Sequence, residues 1–126
     1  MKVGTSAPGR PGQTDRYALR WPDELSAFAL RQLIEHVVAE VFAVSRTALR
    51  TKTRGCAKVA FARQVAMYLA HVSCSISLSD VGRIFARDRT TVAHACRTIE
   101  DCRDDPDFDL TLEFLDCIVS HSLPRT

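Results

Sequence analysis

With 126 residues, 46% of them hydrophobic and 25% charged, the chain has the length of one domain and the composition of an ordinary soluble globular protein. No run of roughly 18 apolar residues is present, so no membrane-spanning helix is expected, and the opening Met1 to Gly9 lacks the apolar core of an export signal. The formal charge of +2 is unevenly spread: residues 1–99 carry 15 Lys and Arg against 7 Asp and Glu, whereas residues 100–126 carry 2 against 8.

Residues 1–21 mix Gly4, Pro8, Gly9, Pro11 and Gly12 with Lys2, Arg10, Arg16 and Arg20, a composition that cannot form a packed face and predicts a flexible basic arm. The domain proper is expected over residues 22–123. From Pro22, Leu25, Phe28, Ala29, Leu33, Val37, Val38, Val41 and Phe42 recur at three- and four-residue spacing and predict a long first helix, with Trp21 as its hydrophobic staple. Ser45 is placed to cap a short helical turn ending near Leu49. Residues 50–57 have no apolar period and read as a basic loop. A third helix follows, with Phe61, Val65, Leu69 and Val72 on one face. Ser77 opens a short helix bearing Leu78, Val81, Ile84 and Phe85; Ala86 and Arg87 interrupt it, and Asp88 caps the next helix, which turns Val92, Ala95, Cys96, Ile99 and Cys102 inward. Pro106 is expected to end that run and Asp107 to open a last helix through Leu112, Leu115, Ile118 and Val119. No segment alternates with period two, so the predicted class is all-α.

Two features point to a polyanion partner. Between Arg46 and Arg63 lie six bases (Arg46, Arg50, Lys52, Arg54, Lys58, Arg63) and no acid, a block suited to displacing counterions from phosphates. The helix pair from Ser77 to about Arg103 has the layout of a helix-turn-helix, whose second helix lies in the major groove. Arg87, Asp88, Arg89, Thr90, Thr91 and His94 crowd the exposed start of that second helix, where arginine can grip guanine O6 and N7 and threonine can bond a base edge or touch a thymine methyl. Other chemistry is poorly served. His36, His71, His94 and His121 are scattered without ligand spacing, no P-loop is present, and no serine is posed at a Gly-flanked turn. Cys56, Cys74, Cys96, Cys102 and Cys117 form no C-x-x-C pair and read as free thiols. No enzyme activity, metal or cofactor is expected.

The segments Ala62-Arg63-Gln64-Val65-Ala66-Met67-Tyr68-Leu69 and Arg87-Asp88-Arg89-Thr90-Thr91-Val92-Ala93-His94-Ala95 resemble the C-terminal DNA-binding domain of the bacterial replication initiator DnaA family. The second corresponds to that family's R-D-H-T-T-V-x-H-A signature, and weaker similarity runs from about Leu33 to Val119. The resemblance implies a six-helix domain around a helix-turn-helix. It also implies base-reading positions at Asp88, Arg89, Thr90 and Thr91, with His94 on the same helix and Arg87 just before it. Arg50, Lys52 and Arg54 would then form a basic loop reaching the minor groove, with Lys58 and Arg63 near the DNA backbone. Arg89 stands where the family signature has histidine, which changes the donors offered to a base, and the sequence has no counterpart of the initiator's ATPase domain.

These readings lead to an expected function: a sequence-specific, double-stranded DNA-binding transcriptional regulator of the bacterial cytoplasm and nucleoid, an activator with RNA polymerase or a sigma-factor-like co-activator as partner. A further similarity in architecture is to stand-alone regulators that activate gene-transfer-agent gene clusters. Two other readings stand beside it: a replication-origin accessory factor competing with the initiator, and a protein-interaction adaptor with a vestigial DNA surface.

Overall fold

The structure, a computed structural model, describes residues 21–51 and 56–123. Six helices and no strands occur among them: α1 (Glu24–Phe42), α2 (Arg46–Arg50), α3 (Ala57–Val72), α4 (Leu78–Phe85), α5 (Arg89–Cys102) and α6 (Pro106–His121). The all-α expectation holds. The predicted arm lies outside the described residues except for Trp21, whose indole Nε1 donates to the Cys74 carbonyl at 2.9 Å and so ties the entry of α1 to the end of α3.

Local chemistry sets most of the boundaries. Asp23 caps α1 by accepting from the Ser26 amide at 2.7 Å. Ser45 caps α2 through the Ala48 amide and Ser77 caps α4 through the Asp80 amide, both as their sequence positions imply. Pro106 is the exception. It begins α6 at the first helical position, behind an Asp105 cap, rather than ending the preceding run; its missing N–H is one that no helix could use there.

The core is organised by α3. Ala62, Val65, Ala66, Met67, Tyr68, Leu69 and Ala70 are all buried, so this helix is apolar around its circumference and the other five pack on it. Ile34 and Val38 of α1, Val81 and Phe85 of α4, Val92 and Ile99 of α5, and Leu112, Leu115 and Val119 of α6 complete one continuous core. Spacing located α1 but only part of its buried face, Val38 with the half-buried Val37 and Phe42. Leu25, Phe28 and Val41 are 78%, 63% and 40% exposed, while Ala27, Leu30, Ile34, Val38 and Ala39 point inward. Val72 at the end of α3 is likewise exposed, and Cys102 is only partly buried. Beyond the apolar contacts, the Tyr68 hydroxyl donates to Glu100 at 2.5 Å and accepts from Arg103, whose Nε donates to Asp109 at 2.6 Å, joining α3, the end of α5 and α6. Burial pushes the Tyr68 phenol up, while two hydrogen bonds hold the Arg103 guanidinium above its ordinary value.

Candidate nucleic-acid interface

The helix-turn-helix depends on a close backbone approach. α4 ends in Ala86, which adopts the left-handed conformation at φ 57° and ψ 48°, and the Arg87 amide returns to the Gly82 carbonyl at 2.8 Å. A Cβ at Gly82 would lie 2.5 Å from the Arg87 carbonyl oxygen, so the turn can sit on α4 at this distance only because residue 82 has no side chain. The next residue, Asp88, is the N-cap of α5, yet its carboxylate makes no capping bond and is exposed.

From that start, α5 divides cleanly. Val92, Ala95 and Ile99 are buried, whereas the side chains of Arg89, Thr90, Thr91 and His94 are exposed and make no hydrogen bond or ion pair within the described residues. Their donors and acceptors are therefore available to a ligand. One turn beyond His94, on the same side as Thr90, stands Arg97, also exposed and without a partner among the described residues. The sequence reading missed Arg97, although its three-residue spacing from His94 was legible.

The basic block proves to be two kinds of residue. Arg50, half-exposed, is held by Glu35: its Nη2 lies 2.7 Å and its Nε 2.8 Å from Oε1. That bond raises its guanidinium above the ordinary value. Glu35 is only 1% exposed and also accepts from Arg31 at 2.9 Å, while Arg31 donates to the Ile84 carbonyl at 2.6 Å and lies over the Phe85 ring. A chain of contacts thus runs from the end of α4 through α1 to the end of α2. Glu35 was not singled out in the sequence; its signal was an acid four residues after Arg31 inside an apolar run.

Arg63, expected near the DNA backbone, is only 9% exposed and turns inward, donating from Nε to the Leu49 carbonyl at 3.0 Å and from Nη2 to the Ala48 carbonyl at 3.1 Å. The last turn of a helix leaves carbonyls without intrahelical partners; Arg63 donates to that of Leu49 and joins the Thr51 amide and hydroxyl on that of Ala48. Burial first, and the Arg87 charge second, push its guanidinium down from the ordinary arginine value. Arg87 is also engaged, donating to the Thr51 carbonyl at 2.7 Å and to the Ala86 carbonyl at 3.2 Å, so it straps the turn to the start of the basic loop. Lys52 and Arg54 lie outside the described residues. Lys58 is exposed in the first turn of α3, without a partner among the described residues.

The helix ends add a second pattern. α1, α2, α4 and α6 each have a side-chain cap; α3, behind Cys56, and α5, behind Asp88, have none. These two uncapped starts follow the two segments that the Arg87–Thr51 bond joins. Free first-turn amides and the positive end of the helix dipole are suited to phosphate oxygens. Among the described residues, no group of three or more His, Cys, Asp or Glu side chains is placed to hold a metal, and no helix is long and apolar enough to cross a membrane.

The family profile described as Bacterial dnaA protein helix-turn-helix matches residues 32–99, which take in α2 to α4, most of α1 and nearly all of α5. The chain belongs to that family. Its curated relatives include the chromosomal replication initiator protein DnaA of Lachnoclostridium phytofermentans, 38% identical over 96 residues covering 75% of this chain and 21% of the relative. The DnaA of Symbiobacterium thermophilum is 43% identical over 84 residues, 65% of this chain and 18% of the relative. Among solved structures, a crystal structure of a DNA replication initiation factor superposes with a TM-score of 0.68 at 32% identity, covering 78% of this chain and 30% of that one. A replication initiator DnaA bound to AMPPCP and single-stranded DNA gives 0.68 at 30% identity, over 79% and 30%. The chain spans about a fifth of the length of the curated relatives it matches. What it shares with the DnaA family is this helix-turn-helix domain.

Proposed function

We propose that this DnaA-type domain is a sequence-specific, double-stranded DNA-binding transcriptional regulator acting at the nucleoid as an activator. The observation that carries the reading is the row Arg89, Thr90, Thr91 and His94 on the first turns of α5, exposed and without side-chain partners among the described residues. In the complex, these side chains meet base edges in the major groove. The loop beginning at Thr51, anchored by Arg87 and carrying Lys52 and Arg54, enters the neighbouring minor groove, with Arg50 and Lys58 close to phosphates. Arg63 acts indirectly, by fixing the end of α2 from which that loop departs. Asp88, free of capping duty, excludes some bases and accepts from a cytosine amino group. RNA polymerase or a sigma-like co-activator is the partner an activator of this kind requires.

A second reading, an accessory factor at the replication origin, is favoured by one observation: the curated relatives are replication initiators. DNA fragments co-purified with the protein from cells and sequenced separate the two. Enrichment at promoters is the expected result; peaks confined to initiator boxes favour the origin. On the recovered site, Arg89→Ala is expected to cost about 1–3 kcal/mol while leaving random DNA nearly unaffected. Equal loss on both would remove Arg89 from the base readers.

A further inference from the structure

α6 is apolar on two opposite sides. At about 100° per residue, Leu112, Leu115 and Val119 form the side turned to the core, where all three are buried. Leu110, Phe114 and Cys117, at i, i+4 and i+7, form a stripe on the reverse side. Leu110 is 69% and Phe114 58% exposed, and Cys117 is exposed as well. A helix at the surface of a globular domain ordinarily carries polar residues there, and one that is apolar on both sides is ordinarily covered on both.

The surroundings of the stripe are strongly acidic. Asp104, Asp105, Asp107, Asp109, Glu113 and Asp116 all lie on or just before α6. The one arginine within reach among the described residues, Arg103, is already held by Asp109 at 2.6 Å, with Glu113 at 3.9 Å. A second copy of this face would bring like charges together, which opposes self-association. The face is also remote from the proposed DNA contacts. Through Arg103, α6 is tied to the C-terminal end of α5, a helix of 14 residues and therefore about 21 Å long.

We infer that the Leu110–Phe114–Cys117 face of α6 docks a cationic amphipathic helix of another protein, its apolar side on the stripe and its lysines or arginines against Asp107 and Glu113. Such helix-in-groove recognition reads apolar anchors at helical spacing, while charge complementarity selects the partner and sets the approach. Bound there, the partner leaves the start of α5 uncovered, so it and a DNA duplex can be held at once.

The test uses the full chain and a fluorescent synthetic peptide of about 18 residues in which leucine and lysine alternate at helical spacing. A matched peptide with glutamate for lysine serves as control. The lysine peptide is expected to bind, more weakly as salt rises, and to shift the backbone resonances of residues 107–121 in the ¹⁵N-labelled protein. The glutamate peptide is expected to bind at least about tenfold more weakly. Leu110→Gln with Phe114→Gln, a pair of exposed positions where glutamine preserves helix propensity, is expected to lower lysine-peptide affinity by about tenfold or more with unchanged circular dichroism. Leu25→Gln with Phe28→Gln, on the exposed side of α1, is expected to leave it unchanged. Absence of binding, equal binding of the two peptides, equal loss from the α1 variant, or shifts confined to other helices would overturn the assignment. So would sedimentation showing a dimer that Phe114→Gln dissociates, because the occupant would then be a second copy.

Discussion

Replacing Gly82 by alanine sets two expectations of opposite sign against each other. Gly82 lies in the middle of α4, and helix propensity alone favours alanine there by about 0.5–1 kcal/mol. The tertiary contact opposes it. An added Cβ would stand 2.5 Å from the Arg87 carbonyl oxygen, where ordinary contact begins near 3.4 Å, so the turn must retreat by about 0.9 Å. The atom it meets is main chain and cannot swing away, and the same turn is pinned by the Arg87 amide on the Gly82 carbonyl and by the Arg87 side chain on Thr51. Overpacking of this kind costs about 1–3 kcal/mol. The rigid contact places Gly82→Ala in the upper half of that range, a net loss of about 2 kcal/mol and a fall of about 8–16 °C in melting temperature for a domain near 100 residues. Thermal unfolding followed by circular dichroism measures this. Anisotropy with the preferred duplex is expected to show weakened binding, because Arg89 moves with the displaced turn. A melting temperature unchanged or raised in Gly82→Ala would refute the reasoning, since it would mean that the turn is not seated on α4 as described.

Three further predictions concern other parts of the same framework. Glu35→Gln keeps the side-chain shape but removes the charge that holds Arg31 and Arg50; because both arginines keep access to water, the loss is expected just below the range for a broken buried pair, about 2–3 kcal/mol, read from the urea midpoint. A change below about 1 kcal/mol would show that water replaces the pair without penalty. Ala86→Gly relieves a left-handed alanine at φ 57° and is expected to stabilise by about 0.5–1 kcal/mol in the same assay; destabilisation would mean that the Ala86 methyl makes a contact worth more than the relief. Burial pushes the Cys74 thiol from 9.0 to about 11, so at pH 8 iodoacetamide is expected to modify the exposed Cys56 and Cys117 and spare Cys74 until the protein unfolds. By the same linkage the protonated Cys74 contributes stability that is complete below pH 9 and is lost as pH rises towards 11. A Cys74→Ala variant with the same alkaline stability profile as the parent would contradict this.

How far the sequence carries depends on the range of the interaction involved. Helix starts at Ser45 and Ser77, the all-α class, the basic block and the exposed start of α5 are written within a few residues of one another, because capping, periodicity and signature spacing are local effects. Even the position of Arg89, Thr90, Thr91 and His94 opposite Val92, Ala95 and Ile99 follows from helical period once a helix is assumed. Which of the arginines remain outside is another matter. Arg50 and Arg63 are equivalent as letters in a charged stretch. One ends half-exposed on Glu35 and the other is buried on two carbonyls, because α2 lands against α3 with its last carbonyls over Arg63. The same is true of α1, whose apolar residues exceed what a single face can bury, so contact with α3 and α4 selects Ile34 and Val38 and leaves Leu25 and Phe28 in water. Sequence alone determined that a helix-turn-helix with a cationic neighbour would form; only the packing of α2 and α4 against α1 and α3 decided which cations face outward. A long side chain takes the direction in which its unsatisfied partner lies, and that partner arrives from elsewhere in the chain.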